Sequence, residues 1–339
     1  MKYALFISAG IGNALLLIPL IKELKKTGSI VVISTSPFGS HRIFDGFENN
    51  LFEGVTILES TVERIKQTAN FKRRFDVAYL DFFSSNRKNL ILAHTNSKRI
   101  ITNFIPDRFP SIFQQRILQH PSDVDLHEST RYLRYVIEDF KDEQLNEELF
   151  KLTPKQTAPI SEKPYITLQP GSGNNLAPWK TLQLDKWLKV IHHIIEHYPD
   201  LNIVVMGDDA EVDISERLPQ HPNVINAIGV TALSDLPGIM SKAVLHLGGD
   251  SALMHLAGVT GVPSISVWGG SDPRFYGWHL IHPEKHHIIH KNLECGPCSR
   301  WLKPNTSKVE LPSLCPDFKC LRTISVKDIT QVIDEKLTH

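Results

Sequence analysis

Short apolar runs, each cut off by glycine, proline or a charged cluster, recur along the chain in the rhythm of a parallel α/β protein. Tyr3 to Ser8 reads as a buried strand, Gly10 to Asn13 as a glycine loop, Ala14 to Lys26 as a helix, and Ser29 to Ser34 as the next strand. Apolar runs at Val55 to Leu58, Val77 to Leu80 and Arg99 to Ile101 continue the alternation, and residues 127–150 read as helical. Pro154, Pro159 and Pro164 then mark a connection over residues 151–163. A second series follows, with strands at Tyr165 to Gln169, Asn202 to Met206, Ala243 to Leu247 and Ser264 to Trp268, a helix at Leu184 to Tyr198 and a last helix at Val326 to Lys336. Strands that are apolar throughout belong in sheets covered on both faces, so the pattern predicts two doubly wound α/β domains, 1–150 and 164–322, and a terminal segment 323–339.

Length agrees with that division, because 339 residues exceed what one core usually serves. With 41% hydrophobic and 22% charged residues the composition is that of an ordinary globular protein. The 37 acidic and 37 basic side chains cancel, which argues against nucleic acid as a partner and requires any anion to be gripped locally. Gly10, Gly12, Asn13 and Pro19 interrupt the apolar N-terminal stretch, so it reads as strand, loop and helix rather than as a signal peptide or a span. A cytoplasmic location is the expectation, and peripheral attachment to the inner membrane face is compatible with it.

The most informative stretch is Leu245 to Tyr276, LHLGGDSALMHLAGVTGVPSISVWGGSDPRFY. It reads as strand, glycine turn at Gly248-Gly249, helix opening at Asp250-Ser251, strand, and a second turn at Gly269-Gly270. Unpaired N–H groups and the positive dipole end of that helix suit a phosphate-bearing ligand.

Asp250, Ser251, Ala252, His255 and Gly258, followed by Gly269, Gly270, Ser271, Asp272 and Pro273, resemble the C-terminal signature of glycosyltransferase family 9, the heptosyltransferases. Ala252 and Gly270 depart from it, standing where glycine and proline are usual. The resemblance implies a GT-B fold, two Rossmann-like domains facing a central cleft, with the donor in the second and the last helix packing back on the first. It implies donor contacts at Ser172 and Gly173, Lys180, Gly249, Asp250, Ser251, His255 and Asp272, with Glu211 on the ribose. Lys180 takes the family's lysine position, where a compact positive charge suits a diphosphate leaving group. Glu211 also reads as an acidic first-turn residue, and His255 as a packed histidine.

The N-terminal loop with Gly10 and Gly12 resembles the family's acceptor-side turn, whose aspartate takes the acceptor's proton. Here that place holds Asn13, and an amide cannot serve as a base. Asn13 would orient the acceptor, and Asp81, just past the strand Val77 to Leu80, is the candidate base. A capping role is the plainer account of Asp81.

Four cysteines, Cys295, Cys298, Cys315 and Cys320, are spaced by two, sixteen and four residues within the loop 293–321. That clustering suits a structural tetrathiolate site for zinc or iron. A disulfide arrangement and four free thiols remain open readings. The sixteen histidines show no zinc-hydrolase motif and read as surface or loop residues.

The resemblance thus implies an inverting, metal-independent transferase. It would move a heptose-like sugar from a nucleoside diphosphate donor such as ADP-heptose to a hydroxyl of a glycan, glycolipid or protein. No cofactor is required for that chemistry. The alternatives are a donor-binding protein of the same family whose Asn13 marks lost catalysis, and a nucleotide-sugar epimerase of the same architecture.

Overall fold

Lys2–Ile7 (β1) is buried along nearly its whole length, as a central parallel strand must be. The computed structural model describes residues 1–58, 74–81, 84–120, 125–172, 177–298, 315 and 317–338. It separates into two units, Met1–Phe150 and Lys151–His339.

In the first unit β1 is joined by Ser29–Ser34 (β2), Gly54–Ile57 (β3), Phe75–Leu80 (β4), Ser97–Thr102 (β5) and Ile117–Gln119 (β6). All are parallel, in the order β3-β2-β1-β4-β5-β6. The second unit repeats the plan with Tyr165–Gln169 (β7), Asn202–Gly207 (β8), Val224–Ile228 (β9), Leu245–Gly249 (β10), Ser264–Trp268 (β11) and His286–His290 (β12). Its order is β12-β11-β10-β7-β8-β9, again wholly parallel. Each unit therefore has the doubly wound Rossmann order, in which the chain reverses its direction of travel between the first and fourth strands and leaves a crevice at their carboxyl ends. That switch point lies between β1 and β4 in one unit and between β7 and β10 in the other.

Separate cores hold the two sheets. Phe6, Ile33, Phe75, Leu80, Leu90 and Ile100 are among those clustered in the first, and Leu168, Trp187, Ile203, Leu247, Val267 and Ile333 among those in the second. Among the described residues no helix is long and apolar enough to cross a membrane.

Several elements differ from the sequence expectation. The stretch taken for a glycine loop is already helical from Ile11, with Gly10 as N-cap, so Asn13 sits in the first turn of the helix Ile11–Leu16. That helix and Ile18–Thr27 are separate because Pro19 lacks the N–H that continuous helix requires and starts the second one instead. The expected helix 127–150 survives as Glu128–Leu133 and Glu147–Phe150. Between them the chain turns, and Arg134 Nε donates to the Phe140 carbonyl at 2.8 Å. The last helix, Val326–Leu337, buries Ile329, Val332 and Ile333 in the core of the second unit, beside the helix Leu184–His197.

Candidate functional site

At the switch point of the second unit, β10 ends in Gly248-Gly249 and the helix Ala252–Thr260 begins behind Ser251 as N-cap. The Ser251 side chain does not cap that helix start, which suits its first N–H groups to a ligand. Ser251 Oγ donates to Gln169 Oε1 at 2.6 Å, which ties the turn to the end of β7.

Lys180 is brought over this turn by backbone contact. A Cβ on Gly249 would lie 2.7 Å from the Lys180 carbonyl oxygen, and one on Gly269 would collide with the Trp179 carbonyl. Gly270 N–H donates to that same carbonyl at 3.1 Å. The glycines of the signature thus make room for the segment that carries the lysine. Lys180 Nζ then reaches Asp250 Oδ2 at 2.7 Å. Burial alone would raise the Asp250 carboxyl, but the adjacent ammonium, helped by a hydrogen bond from Ser271 and by His255, holds the group below the usual carboxylate range.

His255, one turn along the same helix, is buried, and its Nδ1 accepts from Trp278 Nε1 at 3.2 Å. An accepting Nδ1 leaves the proton on Nε2. Burial lowers the imidazole to about 4, against the pull of Asp250, so it is a neutral N–H donor near pH 7. Asp272 caps the short helix Pro273–Tyr276, and both its oxygens meet the Arg274 guanidinium, Oδ2 at 2.6 Å.

Glu211 follows β8. Its Oε2 accepts from the Asp208 N–H at 3.0 Å in a capping box, and its carboxylate fills the space where a side chain on Gly171 or Gly207 would stand. The capping role read from sequence is thus present. Ser172 Oγ accepts from Thr181 at 3.2 Å, and Gly173 lies outside the described residues.

In the first unit the switch point brings Asn13 and Asp81 to one cluster. Ser84 N–H donates to Asp81 Oδ1 at 2.6 Å, the capping role read from sequence, while the Tyr132 hydroxyl lies 3.2 Å from Oδ2. Tyr132 also contacts Glu128 Oε1, to which Asn13 Nδ2 donates at 2.8 Å. Burial raises both carboxyls. Glu128, Arg131 and Tyr132 were not recognised from sequence. A glutamate with no exposure at the start of a helix looks in sequence like any dipole-favoured first-turn acid, and its burial exists only in the folded chain.

All four cysteines are free thiols. Burial raises the Cys320 thiol, and the sulfurs of Cys298, Cys315 and Cys295 raise it further, so the four are near enough to interact. Among the described residues, though, no three side chains are grouped so as to hold a metal ion. Residues 299–314 and 316, the body of the cysteine loop, lie outside the described residues.

The sequence model described as glycosyltransferase family 9 (heptosyltransferase) matches residues 111–308, more than half of the chain. None of the curated proteins matches the sequence. Among solved structures, ADP-heptose lipopolysaccharide heptosyltransferase II of E. coli superposes with a TM-score of 0.75 at 16% identity, covering 100% of this chain and 99% of that one. E. coli heptosyltransferase WaaC, solved with ADP, gives 0.69 at 14% identity, covering 99% of this chain and 100% of that one. The iron-containing dodecameric glycosyltransferase TibC of enterotoxigenic E. coli gives 0.57 at 13% identity, covering 99% of this chain and 76% of that one.

Proposed function

The chain belongs to glycosyltransferase family 9 and has the GT-B heptosyltransferase fold, and from that premise we propose that it transfers a heptose-like sugar, with inversion, from a nucleoside diphosphate donor. The observation that carries this reading is the placement of Lys180 and Asp250 beside the helix start at the carboxyl end of β10. Ser251, Gly249, Ser172 and Lys180 would hold the diphosphate, with Glu211 on the ribose. Backbone N–H groups and one ammonium can take up the charge of a departing diphosphate without a divalent metal. Neutral His255 adds a donor with no protonation change at neutral pH. ADP-heptose is the favoured donor, because WaaC and TibC have been solved with ADP, an ADP-fluoroheptose or ADP-heptose.

On the acceptor side, Asn13 would orient a hydroxyl of a glycan, glycolipid or protein, and Asp81 would receive its proton. The proximity of Asn13 and Asp81 through Tyr132 and Glu128 supports assigning them to one task. Zinc or iron held by Cys295, Cys298, Cys315 and Cys320 would staple the loop next to the donor site, since a Cβ on Gly270 would lie 3.0 Å from Cys298 Sγ. Metal analysis of the purified protein, with Cys298→Ser and Cys320→Ser as controls, tests that part separately.

Calorimetric titration with ADP-heptose, followed by transfer assays against a panel of acceptors, tests the main reading. Binding with transfer that Asp81→Asn abolishes supports it. Binding without transfer by any acceptor would favour the non-catalytic relative that Asn13 suggests. No heat with any nucleoside diphosphate sugar would remove the proposal.

A further inference from the structure

The buried cluster of the first unit holds more carboxyl groups than its donors can serve. Tyr132 has a single hydroxyl hydrogen, yet its oxygen contacts Glu128 Oε1 and lies 3.2 Å from Asp81 Oδ2. If both carboxyls were ionised, one of those contacts would set a lone pair against a negative oxygen. The charge balance agrees. Asp81 is 4% exposed, Glu128 0% and Arg131 4%, and the Arg131 guanidinium, 3.7 Å from Glu128 Oε2, is the cation of the group. With one carboxyl protonated, the buried set is neutral; with both ionised, a net negative charge is left out of water, which is disfavoured as any buried unpaired ion is. Among the described residues, Ser84 N–H donates to Asp81 and Asn13 Nδ2 to Glu128, while Tyr135 donates away, to the Leu80 carbonyl.

We infer that Asp81 and Glu128 share one proton across the Tyr132 hydroxyl, with Asn13 as the amide that holds Glu128 in place. Asn13 is the fitting residue for such a pair, because an aspartate there would set a third carboxylate against Glu128. The proton rests on either member, and Tyr132 lets the two arrangements interconvert by shifting protons along one line. The consequence for catalysis rests on the proposed transfer reaction; the proton-sharing pair does not. In that reaction the acceptor oxygen bonds to the anomeric carbon, and the bond to the diphosphate breaks with its electron pair leaving on phosphate. The hydroxyl proton enters the pair, which passes it to water afterwards. Glu128 and Tyr132 are positioning residues, and the pair titrates as a unit.

Infrared spectroscopy of the whole protein at pH 7 tests the pair without any substrate. A protonated-carboxyl stretch is expected in the native protein and is expected to vanish in Asp81→Asn and in Glu128→Gln, since the remaining carboxyl then has the donors and Arg131 to itself. Absence of that band from the native protein, or its persistence in either variant, overturns the inference. Where transfer from ADP-heptose is measurable, the native kcat profile should carry an alkaline inflection from loss of the shared proton, and Glu128→Gln should remove it while leaving the acidic limb and the donor KM in place, because the amide takes the part of the protonated partner. An alkaline inflection that persists in the variant while the rate merely falls leaves Glu128 outside proton handling. Failure to find transfer at all would count against the proposed function, with the infrared result deciding the pair independently.

Discussion

The ammonium of Lys180 stands 2.7 Å from Oδ2 of Asp250, a carboxylate only 4% exposed at the start of the helix Ala252–Thr260. Breaking a pair so placed strands a buried charge. Lys180→Met should therefore cost roughly 3 kcal/mol of stability in urea titration, and Lys180→Met combined with Asp250→Asn should recover most of it. Transfer should remain impaired in both, with kcat falling more than donor affinity, because the lysine charge matters most as the diphosphate departs. Additive stability losses in the double variant would show that the two side chains do not depend on each other.

Glu211 occupies the space over Gly171, so Gly171→Ala should displace its carboxylate. A lost hydrogen bond to a charged group is worth about 1.5–3 kcal/mol, so donor affinity should fall roughly tenfold or more by calorimetry. An alanine variant that binds as well as the native protein would remove Glu211 from the ribose contact.

Gly258 lies against the indole of Trp278, which is 1% exposed and donates to His255. A methyl group at residue 258 would strike that ring. Gly258→Ala should destabilise by about 1–3 kcal/mol, as overpacking does, and should weaken donor binding as the shifted indole releases His255. Thermal melts with and without donor separate the two effects.

Acid should loosen the second unit first. Burial lowers His246 and His286 to about 3 and His255 to about 4, from 6.5 in the unfolded chain. Their neutral forms are the ones folded, so their contribution is intact above pH 6.5 and is lost as pH falls toward the folded values, because the unfolded state binds protons first. The three together give a slope of up to roughly 4 kcal/mol per pH unit. Asp81 and Glu128, raised by burial, act with the opposite sign: the folded state binds their protons first, which favours the first unit as pH falls. All five tryptophans, Trp179, Trp187, Trp268, Trp278 and Trp301, belong to the second unit, so tryptophan emission reports that unit alone. Emission should shift between pH 6 and pH 4, before far-ultraviolet dichroism shows loss of the whole fold; a single joint transition below that window would contradict this.

Central strands such as β1, β7, β10 and β11 could be read along the chain because burial on both faces requires continuous apolar runs. The strands passed over were β6, β9 and β12, and each lies at the edge of its sheet. An edge strand needs fewer apolar positions, and HHIIH or ILQ carries no periodicity that distinguishes it from a loop.

Sequence alone determined the α/β class, the two-part division, the glycine turns and the helix start at Asp250 and Ser251, because these depend on local chemistry: apolar spacing, missing side chains and capping. Tertiary structure decided what those parts do for one another. It set the Lys180 carbonyl against Gly249, gave Asp272 to Arg274, turned the last helix into the core of the second unit and buried Glu128 beside Tyr132 and Asp81. Such relations join residues far apart in the chain, and the loss of water that gives a buried carboxyl its altered proton affinity exists only once the sheet and helices have closed around it.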